Sequence, residues 1–303
     1  MISKVLAVSL ETNLQEETKI KGQVICAQNG KYVVECDGQT ITILARGKIK
    51  YKNEEVLTGD FVEVENNVIT AIYPRFSRFL RPNIANVDTL CIVIANPPKP
   101  DYKIVDKMIL MANYSKIDFA IIVNKSDLGN EIFNYVSRHY SFTKNLFLMS
   151  ANTKQGINEL KNFLKGKTIA FAGQSAVGKT SVINTLFGTD YKTGVLSEKL
   201  ERGKHTTTYS RIVRGEDFSL FDTPGFSELS VDINPEDVAT NFPPYENFLG
   251  KCKFMDCSHT NEPECAIKMA VSSNELSLDR YKRYKEILNE IKVEYKNRYG
   301  KKQ

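Results

Sequence analysis

The stretch GQSAVGKTS at residues 173–181 constrains the fold of this chain more than any other feature. It fits the pattern G-x-x-x-x-G-K-[ST], and it lies between an apolar, strand-like run and a helical run. Glycines let backbone N–H groups turn inward on phosphate oxygens, and the following helix N-terminus adds partial positive charge. A glycine-rich turn that binds nothing is disfavoured, because strand, loop and helix are all in place. The segment predicts an α/β domain that holds a nucleotide by its phosphates.

Two motifs supply the predicted phosphate and metal contacts. Lys179 is predicted to reach the β- and γ-phosphates, and the Thr180 hydroxyl to ligate Mg²⁺. Downstream, the motif DTPG supplies Asp222 for the metal and the Gly225 N–H for the γ-phosphate, although DTPG alone is equally consistent with a plain turn. The predicted contacts in the first loop are Gly173, Gln174, Ser175, Ala176, Val177, Gly178, Lys179, Thr180 and Ser181.

The motif NKSD, which follows the strand-like run DFAIIV, predicts a guanine-binding loop. Asp127 can accept hydrogen bonds from guanine N1–H and from the N2 amino group. Adenine offers neither donor and would leave the carboxylate unpaired, which disfavours an ATPase. Asn124 is predicted to brace the loop, Lys125 to cover the base, and Ser150 and Ala151 to offer a backbone N–H to guanine O6. A lone NKSD is a weak signal, but beside a phosphate loop it predicts GTP or GDP.

The base-reading loop precedes the phosphate loop, which is an unusual order. A parallel sheet can be cut in one loop and rejoined in another without changing which strand ends meet. The order therefore predicts a circularly permuted P-loop GTPase domain with a mainly parallel sheet.

Hydrophobic patterning predicts a multidomain α/β protein. Short alternating strands with NG, DG and TGD turns predict a small barrel such as an OB-fold, and the continuous apolar runs after it predict βαβ units. The chain ends in a Lys/Tyr-rich helix. The predicted domains are an N-terminal extension (1–19), an OB-fold RNA-binding barrel (20–72), the GTPase domain (73–233) and a zinc-binding domain with the C-terminal helix (234–303).

Three cysteines and a histidine cluster near the C-terminus as Cys252-x₄-Cys257-x-His259-x₅-Cys265. This is a closed tetrahedral set for one structural Zn²⁺ with no open position for catalysis; a chance group of free cysteines is the alternative.

Clustered thiols suit a reducing compartment, and no run approaches the ~20 apolar residues of a membrane span. We therefore predict a cytoplasmic, non-membrane protein, and nothing indicates more than a monomer. His139 has no cysteine or other histidine near it in the sequence, and it is predicted to be exposed to solvent on a helix.

The motifs NKSD, GQSAVGKTS, GKHTTT, DTPG and CKFMDCSHTNEPEC, together with the barrel-like segment before them, resemble those of the RsgA (YjeQ/YloQ) family. These are circularly permuted GTPases that depend on the small ribosomal subunit. The resemblance implies binding of that subunit and its rRNA through the barrel and the zinc domain. It also implies hydrolysis of GTP to GDP and phosphate, stimulated by the 30S subunit during its late maturation.

The catalytic group is the least determined part of this prediction. Many GTPases place a water-orienting Gln directly after the glycine of the DTxG motif, but here the residue is Phe226, so we expect slow intrinsic hydrolysis. His205 is the nearby catalytic candidate, with an exposed loop histidine as the alternative. One of Thr206, Thr207 and Thr208 is predicted to complete the Mg²⁺ shell in the GTP state.

The sequence departs from the family pattern in three places. Residues 1–19 precede the usual start of the family, Ala176 stands where the family often has Gly, and no His occurs between Asp222 and Cys252. Basic residues interleave with aromatic ones at 46–52 and in the C-terminal helix, which predicts RNA contacts or, alternatively, solvated surfaces. The alternative function is a GTP-dependent RNA-binding placeholder in assembly, whose hydrolysis is incidental.

Overall fold

The computed structural model describes residues 19–28, 30–44, 55–188, 209–223 and 233–299. Most of the predicted N-terminal extension and the basic segment at 46–52 lie outside these residues. The strands are β1 Ile20–Gln28, β2 Lys31–Cys36, β3 Gln39–Leu44, β4 Phe61–Glu65, β5 Val68–Ile72, β6 Arg78–Phe79, β7 Ile84–Ala85, β8 Thr89–Ile94, β9 Asp118–Val123, β10 Leu146–Leu148, β11 Thr168–Ala172, β12 Arg211–Arg214 and β13 Ser219–Asp222. The helices are α1 Tyr102–Tyr114, α2 Glu131–His139, α3 Ile157–Leu164, α4 Lys179–Phe187, α5 Ala266–Ser272 and α6 Leu278–Tyr299.

The centre of the molecule is a parallel sheet in the order β10-β9-β8-β11-β13, extended by the antiparallel strand β12. Strand β8 is buried along its full length, and its side chains alternate between two cores. Leu90 and Ile92 pack toward α1 and α2, whereas Cys91 and Val93 pack toward α3 and α4. Because both faces are covered by helices, the run TLCIVI is continuously apolar instead of alternating.

The N-terminal strands are a continuation of this central sheet. They lie in the order β3-β2-β1-β4-β5, around a core that includes Val24, Val34 and Val62, and β3 approaches β5. Strand β1 pairs with β12, where Cys26 lies opposite Arg211. The two regions therefore share one sheet of eleven strands. The assignment of β1–β5 as an OB-fold RNA-binding module stays a prediction.

The C-terminal region packs against the central sheet through helix α6, which lies on α1. Asp106 of α1 is fully buried, and it accepts hydrogen bonds from Arg280 Nε at 2.9 Å and from Arg283 Nε. The Arg280 guanidinium also lies over the rings of Tyr140 and Phe142. Buried charges of this kind are stable only when paired, so this contact fixes α6 on α1. Among the described helices, none has the length and apolarity to cross a membrane.

Candidate nucleotide and metal sites

The predicted nucleotide-binding loops lie at one edge of the central sheet. Strands β9, β10, β11 and β13 run parallel to one another through their neighbours, so their carboxyl ends share that edge. The loops that follow these strands contain, in order, the NKSD motif, Ser150 and Ala151, the phosphate loop, and the start of DTPG. Ligand sites of open parallel sheets lie at this edge.

The phosphate loop requires backbone conformations that favour glycine. Gly173 has φ +140°, and a Cβ there would lie 2.2 Å from the Val93 carbonyl oxygen. Gly178 has φ +91°, and a Cβ there would lie 2.5 Å from Asn124 Nδ2. Ala176 also has a left-handed backbone, with φ +63°. Its conformation is a physical reason for glycine at that position, because a Cβ is strained there.

Side chains of the phosphate loop divide between solvent and core. Lys179 Nζ donates to the carbonyl oxygens of Gly173 and Gln174, both at 2.7 Å, and burial lowers the pKa of Lys179. Val177 is buried in the core, so only its backbone can face a ligand. The remaining predicted contacts Ser175, Ala176, Thr180 and Ser181 are exposed.

Asn124 joins three of the predicted loops. Its side chain is buried; Nδ2 donates to the Val177 carbonyl oxygen at 3.0 Å, and Oδ1 accepts from the Ala151 N–H at 3.1 Å. Lys125 Nζ donates to the carbonyl oxygens of Pro97, at 2.7 Å, and Ala176, at 3.0 Å. The base-reading and phosphate loops are thereby held in one fixed arrangement. The contact of Lys125 with Pro97 was not predicted from the sequence. Pro97 follows β8, which lies between β9 and β11 in the sheet, and this position could have indicated that it lies near the site.

Asp127 lies at the exposed end of this arrangement. The Ser150 hydroxyl donates to Asp127 Oδ1, and Asn152 Nδ2 lies 3.5 Å from Oδ2. The Ser150 hydrogen bond is the main cause that lowers the pKa of the Asp127 carboxyl below its usual value. An ionised carboxylate only accepts hydrogen bonds, which suits the two donors of guanine.

The backbone donors predicted to reach guanine O6 are engaged within the protein. The Ser150 N–H donates to the Gln155 carbonyl oxygen at 3.1 Å, and the Ala151 N–H donates to Asn124 Oδ1. A contact from Ala151 to a base therefore requires the Asn124 hydrogen bond to be shared or exchanged. The roles of all these residues toward GTP stay predictions.

Asp222 ends β13, beside the strand that leads into the phosphate loop. Its Oδ2 atom accepts from Arg211 Nη2 at 2.9 Å and from Arg211 Nε at 3.1 Å. The sequence did not predict a partner for this carboxylate. The other predicted switch and catalytic residues, His205, Thr206, Thr207, Thr208, Gly225 and Phe226, lie outside the described residues.

The four residues of the Cys/His cluster come together as predicted, and they can hold a metal ion. The ligand atoms of Cys252, Cys257, His259 and Cys265 all lie within 4.8 Å of one another. His259 Nδ1 lies 3.5 Å from Cys252 Sγ and 3.4 Å from Cys265 Sγ, and these two sulfurs are 3.9 Å apart. A tetrahedron with metal–sulfur bonds of about 2.3 Å has edges of about 3.8 Å, so the donor set fits zinc in size and type.

The loop that carries this cluster is held by helix α6. The Tyr281 hydroxyl donates to the His259 carbonyl oxygen, and the Tyr284 hydroxyl donates to the Ser258 carbonyl oxygen, both at 3.0 Å. Burial lowers the pKa of His259, which favours the neutral imidazole that a metal binds. The tyrosines of the C-terminal helix thus have a structural role that the sequence did not indicate.

The prediction for His139 is wrong. Its ring is half-buried, Nδ1 lies 2.8 Å from the Ser277 hydroxyl, and the ring stacks on Tyr135 with centroids 4.2 Å apart. The docking of α6 beside α2 covers a residue that the sequence pattern placed in solvent.

Known proteins resemble this chain over most of its length. Residues 72–232 match the RsgA GTPase family. The small ribosomal subunit biogenesis GTPase RsgA of Caldanaerobacter subterraneus subsp. tengcongensis is 37% identical over 292 residues, covering 93% of this chain and 99% of that protein. The crystal structure of YjeQ from Thermotoga maritima has a TM-score of 0.76 and 30% identity, covering 90% of this chain and 99% of that chain. The structure of YloQ, a circularly permuted GTPase, has a TM-score of 0.75 and 27% identity, covering 93% of this chain and 98% of that chain. The predicted permuted GTPase fold is confirmed.

Proposed function

The chain belongs to the RsgA GTPase family, and from this premise we propose that it hydrolyses GTP to GDP and phosphate during biogenesis of the small ribosomal subunit. One structural observation carries the proposal. Asn124 and Lys125 of the guanine motif bond directly to the phosphate loop, at Val177 and Ala176. A single nucleotide can therefore be held by base and phosphates together, in spite of the permuted chain order.

The chain's own residues bind and orient the nucleotide. Backbone N–H groups of the loop 173–178 and the Lys179 ammonium take the phosphates, and the N-terminus of α4 adds favourable charge. Asp127 discriminates for guanine. Thr180 and Asp222 offer the oxygen ligands that Mg²⁺ prefers. Thr180 lies in the first turn of α4, after β11, and Asp222 ends the adjacent parallel strand β13, so the two residues fit that ion. When bound, Mg²⁺ neutralises charge that develops on the phosphate oxygens.

The regions that flank the GTPase sheet are proposed to contact the ribosomal subunit. The Cys/His cluster, in this proposal, holds one structural Zn²⁺ and fixes the surface of the C-terminal region. The barrel strands and this region contact rRNA, as the family resemblance implies. The protein then acts as a monomer in the cytoplasm, where its ribosomal partner is assembled.

The test is GTP hydrolysis with purified small subunits, with large subunits and ATP as controls. We expect stimulation by small subunits alone, because a group supplied by a partner can raise the rate of a GTPase by about 10³–10⁵-fold.

Lys179→Ala should abolish the stimulated activity. Asp127→Asn should lower GTP affinity by ~10²-fold or more, because the amide presents a donor where guanine needs an acceptor.

The alternative function predicts a different result. If hydrolysis is incidental, GTP should promote binding to small subunits but no subunit should accelerate its hydrolysis. That outcome, with tight GTP binding retained, would favour the assembly placeholder, for which Phe226 in the sequence position of the usual Gln is the supporting observation.

A further inference from the structure

Arg211 and Asp222 form a cross-strand ion pair next to the phosphate loop. They lie directly opposite each other in the antiparallel pair of β12 and β13. The guanidinium directs Nε and Nη2 at the same carboxylate oxygen, Oδ2, at 3.1 Å and 2.9 Å. Both side chains are largely buried, with 14% and 27% of their surfaces exposed. Such a two-donor contact fixes the carboxylate more firmly than a single exposed ion pair does.

The second carboxylate oxygen is in a different situation. Within the described part of the chain, no protein group donates to Asp222 Oδ1. A carboxylate with one oxygen bound by a guanidinium retains the other for a metal or for a metal-bound water. The arrangement divides the two oxygens of Asp222 between a structural partner and a ligand.

The backbone around Arg211 is fixed from the barrel side. Cys26 of β1 pairs with Arg211, and the buried Thr58 hydroxyl donates to the Ser210 carbonyl oxygen at 3.1 Å. The same hydroxyl accepts from the Ala27 N–H at 3.1 Å. The guanidinium therefore extends from a strand that is held on both sides, by β13 and by β1 together with Thr58.

We propose that Arg211 is a positioning residue for Mg²⁺: it holds Oδ2 of Asp222 so that Oδ1 serves the ion or its water. The inference rests on the proposed function, in which Asp222 serves the metal. Two effects of Arg211 oppose each other, since its positive charge repels Mg²⁺ while its hydrogen bonds orient the ligand. The two-donor geometry favours orientation as the larger effect, and outer-shell partners of this kind are typically worth about 10–100-fold in metal affinity.

The experiment measures dissociation of a fluorescent, non-hydrolysable GTP analogue from the full-length protein as a function of Mg²⁺ concentration. We expect Arg211→Gln to require about 10–100-fold more Mg²⁺ to slow dissociation. Arg211→Lys should behave similarly, because an ammonium keeps the charge but cannot present the same fork. Arg214→Gln is the matched control: Arg214 lies on the same strand but bonds to Glu35 and Gln23 of the barrel, and its Mg²⁺ dependence should not change.

The outcomes separate this inference from the proposed function. An unchanged or lowered Mg²⁺ requirement in Arg211→Gln would overturn the inference, provided that Asp222→Asn raises the requirement. If Asp222→Asn itself has no effect, the assignment of Asp222 to Mg²⁺ fails, and the proposed function loses that ligand. With orientation as the mechanism, Arg211→Gln should add little to Asp222→Asn. Thermal melting without nucleotide checks folding, and Arg211→Lys tests the inference if Arg211→Gln does not fold.

Discussion

At the scale of single residues, the phosphate loop shows how one backbone angle selects a residue type. Gly173 and Gly178 each have a positive φ and no room for a Cβ. Ala176 has a similar positive φ, but its side chain is exposed to solvent. An L-residue in this region costs roughly 1–2 kcal/mol, which glycine avoids. The backbone conformation that directs the loop toward the ligand is therefore strained at Ala176.

Ala176→Gly should raise the free energy of unfolding by about 0.5–1 kcal/mol. The substitution removes the left-handed strain, and the larger entropy that glycine gives the unfolded chain cancels part of the gain. Denaturant unfolding measures the difference. Ala112→Gly, in the buried interior of α1, is the control and should instead lower stability by about 1 kcal/mol or more. A loss of stability in Ala176→Gly would contradict the strain argument.

At the scale of elements, the pair α1 and α6 depends on buried charges as well as apolar packing. Asp106 is fully buried between two arginines of α6, whereas Lys107, one residue later, forms an ion pair with Glu290 nearer the surface. A buried charge destabilises the fold unless it is paired, whereas an exposed ion pair contributes little to stability. Neighbouring residues of one helix thus make contacts of very different energetic weight.

Asp106→Ala should lower the free energy of unfolding by about 3–5 kcal/mol, because Arg280 and Arg283 are left with buried, uncompensated charge. Lys107→Ala is the matched control and should cost less than about 1 kcal/mol. Thermal and denaturant unfolding of both variants give the comparison. Equal losses in the free energy of unfolding would contradict the conclusion that the buried ion pairs of Asp106 contribute more to stability than the ion pair of Lys107.

At the scale of the whole molecule, a continuous set of contacts links the Cys/His cluster to the phosphate loop. Tyr281 and Tyr284 of α6 hold the cluster, α6 is fixed on α1, and the backbone N–H of Asp101, which caps α1, donates to Gln174 Oε1 at 2.9 Å. Any movement of the cluster relative to the sheet must carry α1 with it or break the ion pairs of Asp106.

Removal of the metal should destabilise the C-terminal region while nucleotide binding changes little. We expect one Zn²⁺ per chain by elemental analysis. Cys257→Ser should lose the ion and lower the melting temperature, because ligand binding to the folded state is part of its stability. Cys26→Ser, which changes a cysteine far from the cluster, should keep the metal. GTP affinity should stay within a few-fold in both variants, since the nucleotide loops are also held by the hydrogen bonds of Asn124 and Lys125, which do not involve the cluster.

The sequence by itself determined the features that depend on local spacing. The phosphate loop, the guanine motif and the four ligands of the cluster are short patterns in which residue type and separation fix the chemistry. The continuous apolar runs likewise determined a parallel sheet covered on both faces, and with it the edge at which the loops meet. The permuted order of the motifs changes none of these local properties.

Only the tertiary structure decided which distant residues meet. Asp106 bonds to Arg280 and Arg283, Cys26 of β1 lies opposite Arg211, and Arg211 in turn holds Asp222. The local sequence around His139 likewise does not reveal that its ring contacts Ser277, which is 138 positions away in the chain. Such pairings follow from how strands register and helices dock, which depends on the summed packing of the whole core and leaves no signature in a local window of sequence.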